Sequence, residues 1–213
     1  MDKRQAIKII TECAEKYDRQ LNNKNFLFLF GETKRPQYIE TAFLSRNFMH
    51  LTGSGSVSVD SNRFYKLCLD KKLNEENISL YENGATPMKL SILPQLMDIP
   101  FNARMIGEFN KSGLVLHTDK LIGNTVATLG FVEDKGYYIP NTALKEDCRN
   151  LSSESPKRIL AILSKSMTEE RYQTITYLAK KLDFYNIKLP DEIEEKIDVL
   201  IPFVQSQKNQ MKL

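Results

Sequence analysis

Several motifs that define common enzyme classes are missing from this sequence of 213 residues. It contains no Gly-x-x-x-x-Gly-Lys-Ser/Thr loop, no His-Glu-x-x-His pair and no Gly-x-Ser-x-Gly turn, so a P-loop nucleotidase, a zinc protease and a serine hydrolase are not predicted. The run Gly53-Ser54-Gly55 lacks the third glycine and the helical context of a dinucleotide-binding loop. Two histidines and scattered thiols do not predict a transition-metal site, and we expect no cofactor.

Cysteines and long apolar runs are also scarce. Cys13, Cys68 and Cys148 are far apart and form no Cys-x-x-Cys pair, so they predict reduced thiols rather than a disulfide framework or a zinc site. No apolar run approaches the roughly 20 residues that span a bilayer, and the N-terminus has no signal-peptide core. We therefore expect a cytoplasmic protein that does not bind a membrane.

The charges of the chain are nearly balanced. Thirty basic residues face 27 acidic ones, which gives a formal net charge of +3. This balance neither requires nor excludes nucleic acid, because a local basic patch matters more than the sum. The length fits one large domain, or one domain with a helical appendage.

Hydropathy patterns divide the chain into an α+β core and a helical C-terminal part. The predicted elements are a helix over 3–21, strands over 26–30 and 37–44, a third extended segment that contains His50, a capped helix over 60–70, strands over 87–93, 103–109, 113–117, 124–133, 136–140 and 159–163, and helices over 168–182 and 190–200. The predicted fold is thus an antiparallel β-sheet core with an N-terminal helix and C-terminal helices packed on it. We assign residues 1–166 to the core domain and residues 167–213 to a helical extension.

His50 and its surroundings carry the clearest functional signal. This histidine ends an apolar run beside Thr52, just before the Gly/Ser-rich residues 53–56. An ionisable group held next to a loop is a typical catalytic position. A single histidine in an apolar segment is nevertheless more often a hydrogen-bonded structural residue, and His117 is interpreted in that way.

Metal-free acid/base chemistry on RNA is the reaction that the remaining residues fit. Cleavage by the 2′-hydroxyl of RNA itself needs a base, an acid and a cation near the phosphate. The predicted catalytic residues are His50, Thr52 and Tyr65, and the predicted substrate-binding cations are Lys89, Lys120 and Arg149. Each has a structural alternative: the threonine bonds a turn, the tyrosine packs in the core, and the cations are simply solvated. The sequence does not show that the six residues converge.

Six blocks of sequence resemble, in the same order, a known nuclease family. They are Asn47-Phe48-Met49-His50-Leu51-Thr52-Gly53, Arg63-Phe64-Tyr65-Lys66, Leu90-Ser91-Ile92-Leu93-Pro94-Gln95-Leu96-Met97, Ile122-Gly123-Asn124, Tyr137-Tyr138-Ile139-Pro140-Asn141-Thr142 and Leu144-Lys145-Glu146-Asp147-Cys148-Arg149. Over roughly residues 26–163 the chain is similar to the fourth phage-type family of barnase, EndoU, colicin and RelE-like nucleases. The resemblance implies a compact antiparallel sheet, metal-independent RNA cleavage, and His50 and Thr52 as the motif's histidine and hydroxyl partner. The chain departs from the family in having Ser54-Gly55-Ser56 where relatives have an apolar residue after the motif glycine.

Two functions stay open at this point. The first is a ribonuclease-like effector or toxin from a phage, prophage or other mobile element, with RNA such as tRNA as its substrate. The second is a non-catalytic protein on the same scaffold that inhibits a host defence protein, for example a CRISPR or other nuclease, as a counter-defence. A positive cleft around His50 favours the first function, and a buried or paired His50 favours the second. DNA binding is disfavoured because no recognition-helix signature is present, and the oligomeric state is not predicted.

Overall fold

The structure is a computed structural model that describes residues 1–81, 84–111 and 116–198. Its α-helices are α1 (Lys3–Gln20), α2 (Phe48–Thr52), α3 (Ser61–Leu69), α4 (Ala85–Leu96), α5 (Ile99–Asn102), α6 (Cys148–Leu151) and α7 (Asp191–Glu194). Its strands are β1 (Lys24–Glu32), β2 (Arg35–Phe43), β3 (Ser54–Ser56), β4 (Ile78–Leu80), β5 (Met105–Glu108), β6 (Lys120–Gly123), β7 (Thr128–Asp134), β8 (Tyr137–Leu144), β9 (Lys157–Ser166) and β10 (Thr174–Leu178). Single 3-10 turns lie at Ser45–Asn47 and Phe184–Asn186.

Seven of the strands close into a barrel. They follow the order β1-β2-β8-β7-β6-β5-β9, and pairing of β9 with β1 completes the ring. The pairings are antiparallel except for β2 with β8, which is parallel and depends on the single pair Thr41–Tyr138. The predicted α+β class is therefore confirmed. The predicted antiparallel sheet is instead closed into a barrel with one parallel joint.

The main hydrophobic core joins one face of the barrel strands to helices α1–α4. Asp2 caps α1 in a capping box with Gln5, and the buried stripe of this helix ends at Tyr17. The Tyr17 ring lies 5.2 Å from the Phe48 ring of α2, centroid to centroid. Burial of each such side chain contributes about 1.5–3 kcal/mol, so α2 is fixed to the core although it has only five residues.

The opposite face of β1 and β9 is covered by the C-terminal part of the described chain. Leu27 and Leu163 pack there with Tyr172 and Phe184 in a second core. The Tyr172 hydroxyl donates to Glu40 Oε1 at 2.9 Å, which ties this segment to β2. The segment is thus an integral layer against the barrel wall.

The two predicted C-terminal helices differ most from the observed structure. The prediction of a helix over 168–182 is wrong. The β-branched run Thr174-Ile175-Thr176 lies in β10, which pairs with β9. The helix predicted over 190–200 does begin after Pro190, but α7 ends at Glu194. Residues 199–213, including the predicted polar tail, lie outside the described residues.

Two further corrections concern the region of the candidate site. The predicted strand over 87–93 is instead part of α4, and His50 lies in α2 rather than in an extended segment. Most of the predicted strand over 113–117 lies outside the described residues. In contrast, the first helix, the β1–β2 pair, the helix capped by Asp60 and the hairpin that turns at Lys135-Gly136 are confirmed.

The three cysteines are free and buried. Burial raises the pKa of Cys13 and Cys68 to about 12 and that of Cys148 to about 11.

None of the helices in the described ranges combines the length and the hydropathy needed to cross a bilayer.

Candidate active site

His50 is presented to solvent by α2, which follows β2 after one 3-10 turn. Phe48 and Leu51 are buried on one side of this short helix, and His50 is exposed. The helix ends at Gly53, whose φ of +64° and ψ of +24° form a left-handed C-terminal cap. The imidazole is therefore held on an anchored element and is open to a ligand.

Thr52 is fully buried, and its hydroxyl organises the turn after α2. The Thr52 Oγ1 hydroxyl donates to the Met49 carbonyl at 2.7 Å and accepts from the Ser54 N–H at 3.2 Å. The Ser54 hydroxyl lies 2.7 Å from the same oxygen. These contacts give Thr52 a positioning role for the turn, and its catalytic role stays a prediction.

Lys89 reaches from α4 across this turn to β8. A β-carbon at position 53 would lie 2.6 Å from Lys89 Cδ, so the lysine stem runs directly against Gly53. Its ammonium donates to Thr142 Oγ1 at 3.1 Å and lies 3.5 Å from the His50 carbonyl oxygen. Both acceptors are neutral, and no carboxylate of the described residues forms an ion pair with Lys89.

Burial lowers the pKa of the Lys89 ammonium. The side chain is only partly exposed, so the charge has lost part of its hydration without gaining an anionic partner. A cation in this state binds an anion that enters from solvent more strongly than a fully hydrated lysine does. The arrangement thus places an uncompensated positive charge beside the helix that carries His50.

A β-bulge in β8 lies directly before Thr142, the residue that accepts the Lys89 hydrogen bond. Gly130 of β7 pairs with Thr142, whereas Phe131 pairs with Pro140, which leaves Asn141 as the extra residue in β8. The Thr118 hydroxyl donates to Asn141 Oδ1 at 3.3 Å. A β-carbon at Gly130 would lie 2.7 Å from Thr142 Cγ2 and 2.9 Å from Thr118 Oγ1. Glycine is therefore needed where the two threonines meet over β7.

Thr118, Asn141 and Thr142 are not among the site residues that the sequence predicts. Asn141 and Thr142 do occur in one of the blocks that resemble the nuclease family, which is the only sequence signal for them. The bulge that aligns them depends on the register with β7 and cannot be read from β8 alone. The second histidine, His117, is exposed, and its carbonyl accepts a hydrogen bond from Asn141 Nδ2 at 2.5 Å.

Tyr65 and Arg149 lie in other environments. Tyr65 is 4% exposed, and its hydroxyl donates to Asp18 Oδ1 at 2.9 Å, so burial and this carboxylate raise its pKa. Arg149 is exposed on α6 and binds Asp147 through Nε at 3.0 Å from Oδ2. No hydrogen bond or ion pair within the described ranges connects either side chain to His50 or Lys89.

Lys120 lies in a separate cleft of about 740 Å³ at the barrel wall. It begins β6, forms an ion pair with Glu108 and lies 5.9 Å from the centroid of the Tyr138 ring. Gln37 and Lys157 also line this cleft and are bonded to each other at 2.6 Å. His50, Thr52 and Lys89 do not line it, so the structure divides the six predicted residues among four places.

Comparison with known proteins identifies the family of the chain. Residues 9–181 match the family model described as phage-Barnase-EndoU-ColicinE5/D-RelE like nuclease4. Comparisons with curated proteins and with solved structures gave no match. The matched range extends from α1 through β10 and includes His50, Lys89 and Thr142. Because it covers most of the sequence, the chain belongs to the phage-Barnase-EndoU-ColicinE5/D-RelE like nuclease4 family.

Proposed function

We propose that this protein cleaves RNA by attack of a 2′-hydroxyl on the neighbouring phosphate, without a metal ion. His50 acts as the acid or base, and Lys89 binds the phosphate. The observation that carries the proposal is the Lys89 ammonium, held between the His50 carbonyl and Thr142 with no carboxylate partner among the described residues. Membership of a nuclease-like family agrees with this assignment.

The donor geometry of Lys89 suits a phosphate oxygen. An ammonium has three N–H donors, and Thr142 and the His50 carbonyl account for two of them. The third has no acceptor in the described part of the chain and is free for an anionic oxygen. In this proposal Thr142 orients the lysine, while Thr52 holds the turn that carries Gly53.

The chemical step needs two proton transfers. The bond from O2′ to phosphorus forms and the bond from phosphorus to O5′ breaks, while a base takes the 2′-hydroxyl proton and an acid protonates O5′. Histidine performs either transfer near neutral pH, and such a group contributes about 10²- to 10⁴-fold to the rate. Lys89 stabilises the negative charge that develops on the phosphate oxygens. Tyr65, Lys120 and Arg149 are given no part in this step.

The experiment is cleavage of labelled tRNA and mRNA by the purified protein in excess EDTA. We expect products that end in a 2′,3′-cyclic phosphate, and no cleavage at a site with a 2′-deoxy nucleotide. His50→Ala and Lys89→Met should each reduce the rate by at least about 100-fold. His117→Ala, which removes the other exposed histidine, and Lys8→Met, which removes an exposed lysine of α1, are the matched controls.

Two results contradict the proposal. Equal losses in His50→Ala and His117→Ala would deny His50 a distinct role. The absence of cleavage by the unaltered protein over a wide concentration range would reject the nuclease function. It would favour the alternative of a protein-binding inhibitor of a host defence protein, which a partner pull-down then tests.

A further inference from the structure

Tyr81 presents an exposed aromatic ring beside the proposed active site. It directly follows β4, which pairs with β3 in a small sheet separate from the barrel. The Tyr81 N–H donates to Thr86 Oγ1 at 3.0 Å, and the Thr86 hydroxyl in turn donates to the Gly53 carbonyl. Tyr81 is thus fixed to the same turn that ends α2 and supports Lys89.

The ring itself is not explained by packing. Tyr81 is 51% exposed, and its hydroxyl has no hydrogen-bond partner among the described residues. A β-carbon at Gly55 would lie 3.7 Å from the Tyr81 hydroxyl oxygen, so the side chain extends over the bare backbone of β3. Its backbone is held by the hydrogen bond to Thr86, and about half of the side chain is open to solvent.

Two more exposed apolar side chains border the same turn. Val57 follows β3 and is 42% exposed, and Met88 precedes Lys89 and is 43% exposed. Single exposed apolar residues are normal on a protein surface and need no explanation. Val57 and Met88 thus add exposed apolar surface to the segment that follows the Gly53 turn and to the helix that carries Lys89.

We propose that Tyr81 is the stacking platform for a nucleobase of a single RNA strand whose phosphate is held by Lys89. This inference depends on the proposed function, because it states how the same site binds its substrate. Single strands expose unstacked bases that stack on aromatic rings, whereas the bases of a duplex are stacked on each other. An exposed ring and a phosphate-binding cation, both connected to the turn at Gly53, supply the two contacts that one nucleotide offers.

The absence of tryptophan from the sequence allows a direct test. Tyr81→Trp introduces the only indole of the protein, and base stacking quenches indole fluorescence. The measurement uses the His50→Ala background and an eight-nucleotide, fully 2′-O-methylated single strand, which cannot be cleaved by 2′-hydroxyl attack. Tyr185→Trp is the matched control, because Tyr185 is 81% exposed and lies in the C-terminal layer.

We expect saturable quenching in Tyr81→Trp and none in Tyr185→Trp. Tyr81→Ala should weaken binding of the same strand by roughly 5- to 150-fold, the range found for loss of one stacked base, and Tyr81→Phe should bind as the unaltered ring does. A duplex of the same sequence should bind without quenching.

The possible failures of the two proposals are distinguishable. Cleavage of RNA together with unchanged strand affinity in Tyr81→Ala would overturn the stacking proposal alone. Quenching in Tyr81→Trp by a protein that cleaves nothing would support the stacking site while rejecting catalysis. Absence of binding to the single strand would overturn the stacking proposal irrespective of cleavage.

Discussion

Gly53 and Lys89 are packed so closely that no side chain fits between them: a β-carbon at position 53 would lie 2.6 Å from Lys89 Cδ. The same glycine has a φ of +64° and ends α2. Glycine is therefore favoured at position 53 for two reasons. It adopts the left-handed conformation that ends the helix of His50, and it has no side chain to clash with the lysine stem.

Gly53→Ala tests both reasons. The left-handed backbone costs about 1–2 kcal/mol with a β-carbon, and the methyl group also displaces Lys89. We expect the cleavage rate to fall at least about tenfold, as the ammonium leaves its position beside Thr142. Gly31→Ala is the control, because Gly31 also has a positive φ, +94°, but nothing within 4 Å of the added carbon. Chemical denaturation and initial rates measure both effects, and equal rates in the two variants would contradict the role given to Gly53.

Lys89→Met should make the protein more stable and inactive. The ammonium is partly buried without an anion, so an apolar side chain of similar length removes a desolvation cost. We expect a gain of about 1 kcal/mol near pH 7, which corresponds to roughly 2–4 °C in Tm for a chain of this size. A lower Tm would show that the hydrogen bonds of Lys89 stabilise more than its burial costs.

The stability difference between these two proteins should depend on pH. The folded-state pKa of Lys89 is lowered, so the unfolded chain binds the proton more tightly than the folded chain does. The free energy of unfolding of the unaltered protein therefore rises, relative to Lys89→Met, as pH increases from the folded pKa towards the unfolded value. Denaturation of both proteins over alkaline pH should show the gap becoming smaller. A gap that widens would contradict a lowered pKa.

Tyr65→Phe separates a structural role from a catalytic one. The variant keeps the ring that packs 5.5 Å from Phe48 but loses the hydrogen bond to Asp18. We expect a loss of about 0.5–1.5 kcal/mol in the free energy of unfolding and an unchanged kcat for the folded protein. A large loss of kcat at full folding would instead support the catalytic role predicted from the sequence.

Lys120→Ala tests whether RNA also occupies the barrel cleft. If the strand reaches Lys120, KM should rise about 3- to 10-fold with kcat unchanged, and the salt dependence of binding should correspond to about one fewer phosphate contact. Arg149→Ala is the comparison, because this exposed side chain does not line the cleft, and we expect KM to change less than about twofold. Identical KM values for Lys120→Ala and the unaltered protein would exclude the cleft from the RNA path.

The sequence predicted elements well where only one periodicity was present. The helix ending at Gln20 and the hairpin around Gly136 are such cases. For residues 87–93 the predicted strand is wrong because Met88, Leu90 and Ile92 alternate with polar residues as they do in a strand. Pro87 lies in the first turn of α4, where proline is compatible with a helix.

The candidate site was predicted in part for a related reason. Residue type predicts His50 and Lys89 separately, and the local sequence pattern does not place one beside the other. Their meeting depends on the close approach at Gly53, and the position of Thr142 depends on a bulge between two strands. Both are consequences of tertiary packing, to which hydropathy periods are insensitive.

The single bridge between Thr41 and Tyr138 has a dynamic consequence for this site. α2 continues from the end of β2, whereas Thr142 lies four residues beyond the bridge on β8. Backbone segments with few interstrand bonds open most readily to hydrogen exchange, so this joint is expected to have the lowest local stability in the ring. Because α2 and Thr142 lie on the two sides of this joint, we expect the amides of β2 and β8 near Thr41 and Tyr138 to exchange faster than those of the antiparallel pairs of the barrel.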